Sequence, residues 1–226
     1  SEGRIYMFEK AKNLIKKYRH AWVLLYVFIY LPWFVYLEKA VQHDYYLIHS
    51  PLDDYIPFVE FFIVPYFLWF IFIAVTMAYF FFTDRKGFYK LCAFMFTGMT
   101  IFLIICTIFP NGLDLRPTVF PRDNIFTDAV KWLYQTDTST NVLPSIHVFN
   151  SLAAAFAIGH SHALKKKKWV QPAAYVLATL IILSTMFLKQ HSVTDVFAAM
   201  VMAGVIYPFV YVPSSRKAPS LSHQPV

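Results

Sequence analysis

Residues 58–83 read FVEFFIVPYFLWFIFIAVTMAYFFFT, and their only charge is Glu60. A helix needs about 20 apolar residues to cross the hydrocarbon core of a bilayer, and this run supplies them. Five further runs resemble it, at about 21–37, 91–109, 142–164, 169–188 and 194–213. The chain is 58% hydrophobic and 19% aromatic. With the apolar residues gathered in long runs, that composition excludes an ordinary soluble domain. The expected fold is all-α, an integral membrane bundle of six transmembrane helices over residues 21–213. A basic segment (1–20) precedes it and a short tail (214–226) follows. Glu60 reads as an interfacial acid near the end of its run.

Two cysteines, Cys92 and Cys106, lie in one run. Their helical separation of about 21 Å keeps them from pairing, so no disulfide framework is expected. The start at Ser1 reads as a trimmed or engineered N-terminus, and no signal peptide is expected.

The net charge of +7 is explained by topology, and no nucleic-acid partner is expected. Basic residues gather before the first run, between the second and third, at Lys165–Lys168, and at Arg216 and Lys217. The remaining connections are acidic. Short basic loops stay cytoplasmic, so both termini are expected in the cytoplasm. Residues 5–18 place Ile5, Phe8, Leu14 and Ile15 among lysines. That pattern fits an amphipathic helix on an anionic leaflet or a solvated basic tail.

Three short stretches then fall on the outer side: Arg116-Pro117, Pro144-Ser145-Ile146-His147, and Lys189-Gln190-His191 with Asp195. Together they suit phosphate chemistry. His191 and Asp195 are four apart, so in a helical turn they share a face. The carboxylate can hold one ring nitrogen and leave the other free to attack phosphorus. His147 can supply a proton to the departing alkoxide as general acid. Arg116, Lys189 and Arg122 offer positive charge, and Ser145 offers a hydroxyl and the start of a helix, where an anion is favoured. The same residue types suit zinc or iron, but nearby cations repel a metal ion. Neither a metal nor another cofactor is expected.

These residues resemble the type 2 phosphatidic acid phosphatase superfamily, whose motifs are Lys-x6-Arg-Pro, Pro-Ser-x-His and Ser-Arg-x5-His-x3-Asp. Pro144-Ser145-Ile146-His147 matches the second in full. Ser184, His191 and Asp195 match the third, and Arg116-Pro117 ends the first. The resemblance implies a metal-independent phosphohistidine mechanism, with His191 as nucleophile, Asp195 as its orienting partner and His147 as general acid. Two motif cations are missing, because Phe109 and Thr185 stand in their places. Lys189 and Arg122 are the expected replacements.

The expected function is hydrolysis of a lipid phosphate monoester or pyrophosphate such as phosphatidic acid, phosphatidylglycerol phosphate or an isoprenyl pyrophosphate. The alternatives are transfer of a phospho-headgroup to an alcohol, as in sphingomyelin synthase or inositol phosphorylceramide synthase, and a non-catalytic lipid-binding or transport protein. The expected partners are the lipid phosphate and the bilayer, in a microbial plasma membrane with the active site outside.

Overall fold

Each apolar run becomes a helix in the computed structural model, which describes residues 2–41 and 44–212. In chain order come α1 (Glu2–Lys17), a 3-10 segment (Arg19–Tyr26) leading into α2 (Val27–Ala40), and strand β1 (Tyr46–Leu47). Helices α3 (Ile63–Thr83) and α4 (Arg85–Ile108) follow, then β2 (Asn111–Gly112) and α5 (Ile125–Thr136). The chain continues through α6 (Ile146–His160), a single turn α7 (His162–Lys165), α8 (Val170–Phe187) and α9 (Val193–Tyr211).

Five helical stretches are long and apolar enough to cross a membrane: Arg19–Ala40, Glu60–Thr83, Arg85–Ile108, Val170–Phe187 and Val193–Tyr211. Helix α6 is apolar but shorter. The protein is an all-α integral membrane bundle. Large apolar side chains such as Phe28, Ile71, Val75, Val201 and Phe209 point outward, as lipid rather than water requires.

The boundaries move where polar groups cap the helices. Asp84 accepts a hydrogen bond from the Gly87 N–H at 3.0 Å, so α4 starts at Arg85 and the expected loop shrinks to one residue. The run 142–164 loses both ends. Ser145 caps α6 by accepting from the Val148 N–H at 3.4 Å, and Ser161 caps α7. The 15 residues of α6 rise about 22 Å, less than the ~30 Å hydrocarbon core.

Asn111 ties down the irregular stretch before α6. Asn111 Oδ1 accepts from the N–H groups of Val142 and Leu143, both at 2.9 Å. Its carbonyl accepts from the Asn141 N–H at 2.7 Å. Non-helical backbone at membrane depth survives only when satisfied in this way. Asn111 is itself fixed by a short parallel pairing in which Tyr46 faces Asn111 and Leu47 faces Gly112.

Helix α6 sits at the centre, packed against α3, α4, α8 and α9. Its buried Ser151, Ala153, Ala154, Ala155 and Ala157 are small, which lets neighbouring backbones approach. In lipid such van der Waals packing drives helix association. Phe149 fills the crossing with α4 and stacks on Phe94 with centroids 5.0 Å apart.

The 110–141 connection, expected as a loop, contains α5. Asn124 caps it, accepting from Phe126 and Thr127 N–H at 2.9 and 3.0 Å. Val130 and Leu133 pack with Ile63, Tyr66 and Leu188. At the other end of the chain α1 is helical, with Tyr6, Phe8, Leu14 and Ile15 exposed. The tail with Arg216 and Lys217 lies outside the described residues.

Candidate active site

His191 sits just past the end of α8. The helix closes with Lys189 in the left-handed region at φ 54. The Lys189 N–H donates to the Met186 carbonyl, and the Gln190 and His191 N–H groups donate to Thr185. This is a Schellman closure with lysine where glycine is usual.

Asp195 lies in the first turn of α9, whose cap is Ser192. Asp195 Oδ2 accepts from the Ser192 N–H at 2.9 Å and lies 3.4 Å from His191 Nδ1. The pair forms across the cap rather than along a helical turn, because His191 precedes the helix. His191 is 8% exposed, and its Nε2 makes no hydrogen bond to the described residues.

His147 opens α6. Its ring packs between Tyr66 at 4.9 Å and Trp69 at 4.5 Å, and its centroid lies 5.7 Å from that of His191. The Ser145 N–H donates to the Asp195 carbonyl at 3.2 Å, tying the two motif segments together. The start of α6 therefore sits against the start of α9, and the structure brings His147, His191, Asp195 and Ser145 into one place.

The cations are placed differently. Arg116 Nη1 donates to the carbonyls of Tyr134 and Asp137 at 3.1 and 2.9 Å. Its Nη2 donates to the Thr138 carbonyl at 2.9 Å and to Gln190 Oε1 at 2.7 Å. All four Nη hydrogens are thereby committed to the end of α5 and to Gln190. Lys189 Nζ donates to the Asp53 carbonyl at 2.7 Å; burial lowers its pKa against the pull of Asp53 and Asp54. Arg122 forms a two-pronged pair with Glu60, Nε to Oε1 at 2.6 Å and Nη2 to Oε2 at 3.0 Å. Glu60 is 0% exposed, so it is a buried partner of Arg122 rather than an acid facing the interface.

A cavity of about 790 Å³ opens beside the histidines. Tyr30, Phe34, Phe67, Phe70 and Trp132 form its apolar wall. His147, His191, Gln190, Asp137, Asn141 and Glu38 form its polar end. Arg116, Lys189 and Arg122 are absent from that lining. Asp137 Oδ2 accepts from Gln190 Nε2 at 3.2 Å and from the Tyr66 hydroxyl at 3.5 Å. Burial pushes the Asp137 carboxyl above the ordinary carboxylate range, against the lowering by Arg116. The volume lies in the range of small-molecule sites, and its wall suits an acyl chain.

A family model described as the PAP2 superfamily matches residues 94–217. The chain belongs to the PAP2 superfamily. No curated relative and no solved structure matches it. Within the PAP2 match, both departures from the motifs are structural. Phe109 ends α4 and stacks on Tyr46 at 4.7 Å. Thr185 is buried and carries the carbonyl that receives His191.

The sequence reading passed over Asp53, which is 2% exposed. It accepts from the Ser192 hydroxyl at 2.6 Å and from the Val193 N–H at 2.8 Å. A signal was present, since Ser50-Pro51-Leu52-Asp53 is a capping box with proline at the first helical position. Asn111 was also passed over; Asn-Gly is a turn signal, and here the pair forms strand β2 instead.

Proposed function

We propose that this protein cleaves a phosphoester of a membrane lipid through a covalent phosphohistidine on His191. Asp195 holds Nδ1–H, which leaves the Nε2 lone pair on the cavity side. Nε2 forms the bond to phosphorus while the bond to the lipid alkoxide breaks, and protonated His147 gives its proton to that alkoxide. Neutral His147 then removes a proton from water or an alcohol as that oxygen attacks phosphorus and frees His191. The observation that carries this reading is the pair of rings 5.7 Å apart, one of them bound to a buried carboxylate, at the polar end of a cavity with an acyl-compatible wall.

Helix direction supports a site on the outer face. Helix α6 runs away from the site, Lys165–Lys168 follows it, and α8 returns. The basic run therefore occupies the opposite end of the bundle, which positive-inside sorting keeps in the cytoplasm with both termini. A microbial plasma membrane is the setting we assign.

Hydrolysis and transfer share the first half-reaction. The deciding experiment incubates detergent-purified protein with head-labelled lipid phosphates and phosphodiesters, in chelator, with and without an acceptor alcohol. Phosphorylated His191 trapped in the wild type and lost in His191→Ala supports the reading. Equal turnover by His191→Ala overturns it, and loss of activity in chelator overturns the metal-free form of it.

A further inference from the structure

We infer that the polar end of this cavity receives the ammonium headgroup of a phospholipid, so that the substrate is a phosphodiester rather than a phosphate monoester. The inference rests on the phosphoester reading above and narrows its substrate class.

The lining carries two carboxylates, Glu38 and Asp137, and no lysine or arginine among the described residues. Arg116, the cation behind this wall, has its four Nη hydrogens on protein oxygens. The two motif positions that would add cations hold Phe109 and Thr185. A dianionic monoester entering here meets two carboxylates and no lysine or arginine in the lining, which is a desolvation and repulsion penalty together.

The carboxylates are held by neutral donors and form no direct ion pair among the described residues, while the Arg116 guanidinium behind the wall draws on both. Glu38 Oε1 accepts from Asn141 Nδ2 at 2.7 Å, and Oε2 accepts from the Thr138 hydroxyl. Asp137 is held by Gln190 and Tyr66. All four donors are uncharged. Asn141 is 6% exposed, and its Oδ1 is buried without a partner. Tyr66 and Trp69, which flank His147, line the same cavity, and aromatic faces attract cations. Negative charge and π-faces together fit an ammonium group.

The reactive groups sit beside this pocket. His191 is itself buried, lines the cavity and leaves Nε2 without a partner. Trp69, with its ring 4.5 Å from that of His147, has an indole N–H without a partner. With the headgroup at Glu38 and Asp137, Nε2 of His191 bonds to phosphorus and the bond to the diacylglycerol oxygen breaks. Diacylglycerol leaves as an alcohol with the proton from His147, and the phospho-headgroup stays on His191 until water or an alcohol takes it.

The test uses phosphatidylethanolamine, phosphatidylcholine, phosphatidylglycerol and phosphatidic acid of one acyl composition, with diacylglycerol release read by mass spectrometry. The two ammonium lipids are expected to turn over at least about tenfold faster than phosphatidic acid, and Glu38→Gln to reduce that ratio about tenfold. Preference for phosphatidic acid or phosphatidylglycerol overturns the inference while leaving the phosphohistidine reading in place. An ammonium preference unchanged in a Glu38→Gln protein of wild-type melting temperature also overturns it. The wild-type comparison decides by itself if that variant does not fold. Absence of both diacylglycerol and labelled His191 with every lipid removes the phosphoester reading, and this inference with it.

Discussion

Replacing Asp53 by alanine separates the support of the site from its chemistry. The Asp53 carboxylate accepts from the Ser50 N–H at 2.8 Å, the Val193 N–H at 2.8 Å and the Ser192 hydroxyl at 2.6 Å. Hydrogen bonds to a charged group contribute about 1.5–3 kcal/mol each and do not add fully, so the expected loss of stability is about 3–5 kcal/mol. Asp53→Asn keeps the shape and one acceptor oxygen, and about 1–3 kcal/mol is expected. The functional effect follows from Ser192, which caps α9 and donates its N–H to Asp195. Once Ser192 is released, Asp195 no longer sits firmly against His191. Turnover should fall about 10–100-fold, the scale seen when an outer partner of a working histidine is lost, with KM changing less than kcat. Thermal unfolding in one detergent and steady-state kinetics on the best lipid measure both effects. A variant with wild-type melting and wild-type kcat would refute the claim that Asp53 organises the start of α9.

Asn111→Ala removes the acceptor for two backbone N–H groups and the Nδ2 bond to the Phe109 carbonyl at 2.8 Å; a loss of about 2–4 kcal/mol is expected, with reduced activity because the approach to Ser145 and His147 loosens. Melting and turnover together check this. Gly98→Ala places a Cβ 2.1 Å from Phe149, so overpacking at the α4–α6 crossing should destabilise by about 1–3 kcal/mol, and adding Phe149→Leu should recover part of that loss. Asp137→Asn tests the buried carboxyl by pH. Its folded pKa is raised by burial, so its contribution to wild-type stability is full below the unfolded value of about 4 and declines as pH rises through the folded value. The melting difference, variant minus wild type, should therefore become more positive with rising pH above about 4; parallel curves would sink the argument.

The apolar runs carry most of the fold because a bilayer imposes one length and one composition on each crossing helix. Ser184, His191 and Asp195, with Pro144-Ser145-Ile146-His147, also made the candidate histidine pair legible. What the sequence could not show is where cations go once the backbone is closed. Arg116 reads as a phosphate ligand, yet its guanidinium meets the carbonyls of Tyr134, Asp137 and Thr138 at the end of α5. That outcome depends on α5 itself, which lay hidden in a connection too mixed in pattern to stand out. Arg122 reads the same way, but Glu60 is buried within reach, and the pair is 62 residues apart in the chain. Glu38 and Asp137 carried no motif at all; only the tertiary fold puts them in one cavity.

The chemistry is positioned by helix ends. Every α-helix leaves backbone groups unpaired at each terminus, and in a membrane those groups need partners from the protein. Here the partners come from distant segments: Asn111 for the stretch before α6, Asp53 for the start of α9, Arg116 for the end of α5. Each of these contacts closes one helix end and at the same time fixes it against another element. The Ser145 N–H on the Asp195 carbonyl joins α6 to α9 by the same logic. Polar residues near the site thus divide into two groups. One group is consumed in closing helices and sets the spacing of His147 and His191. The other, Glu38, Asp137, His147 and Nε2 of His191, is left at the cavity, where Arg116, Lys189 and Arg122 are absent from the lining.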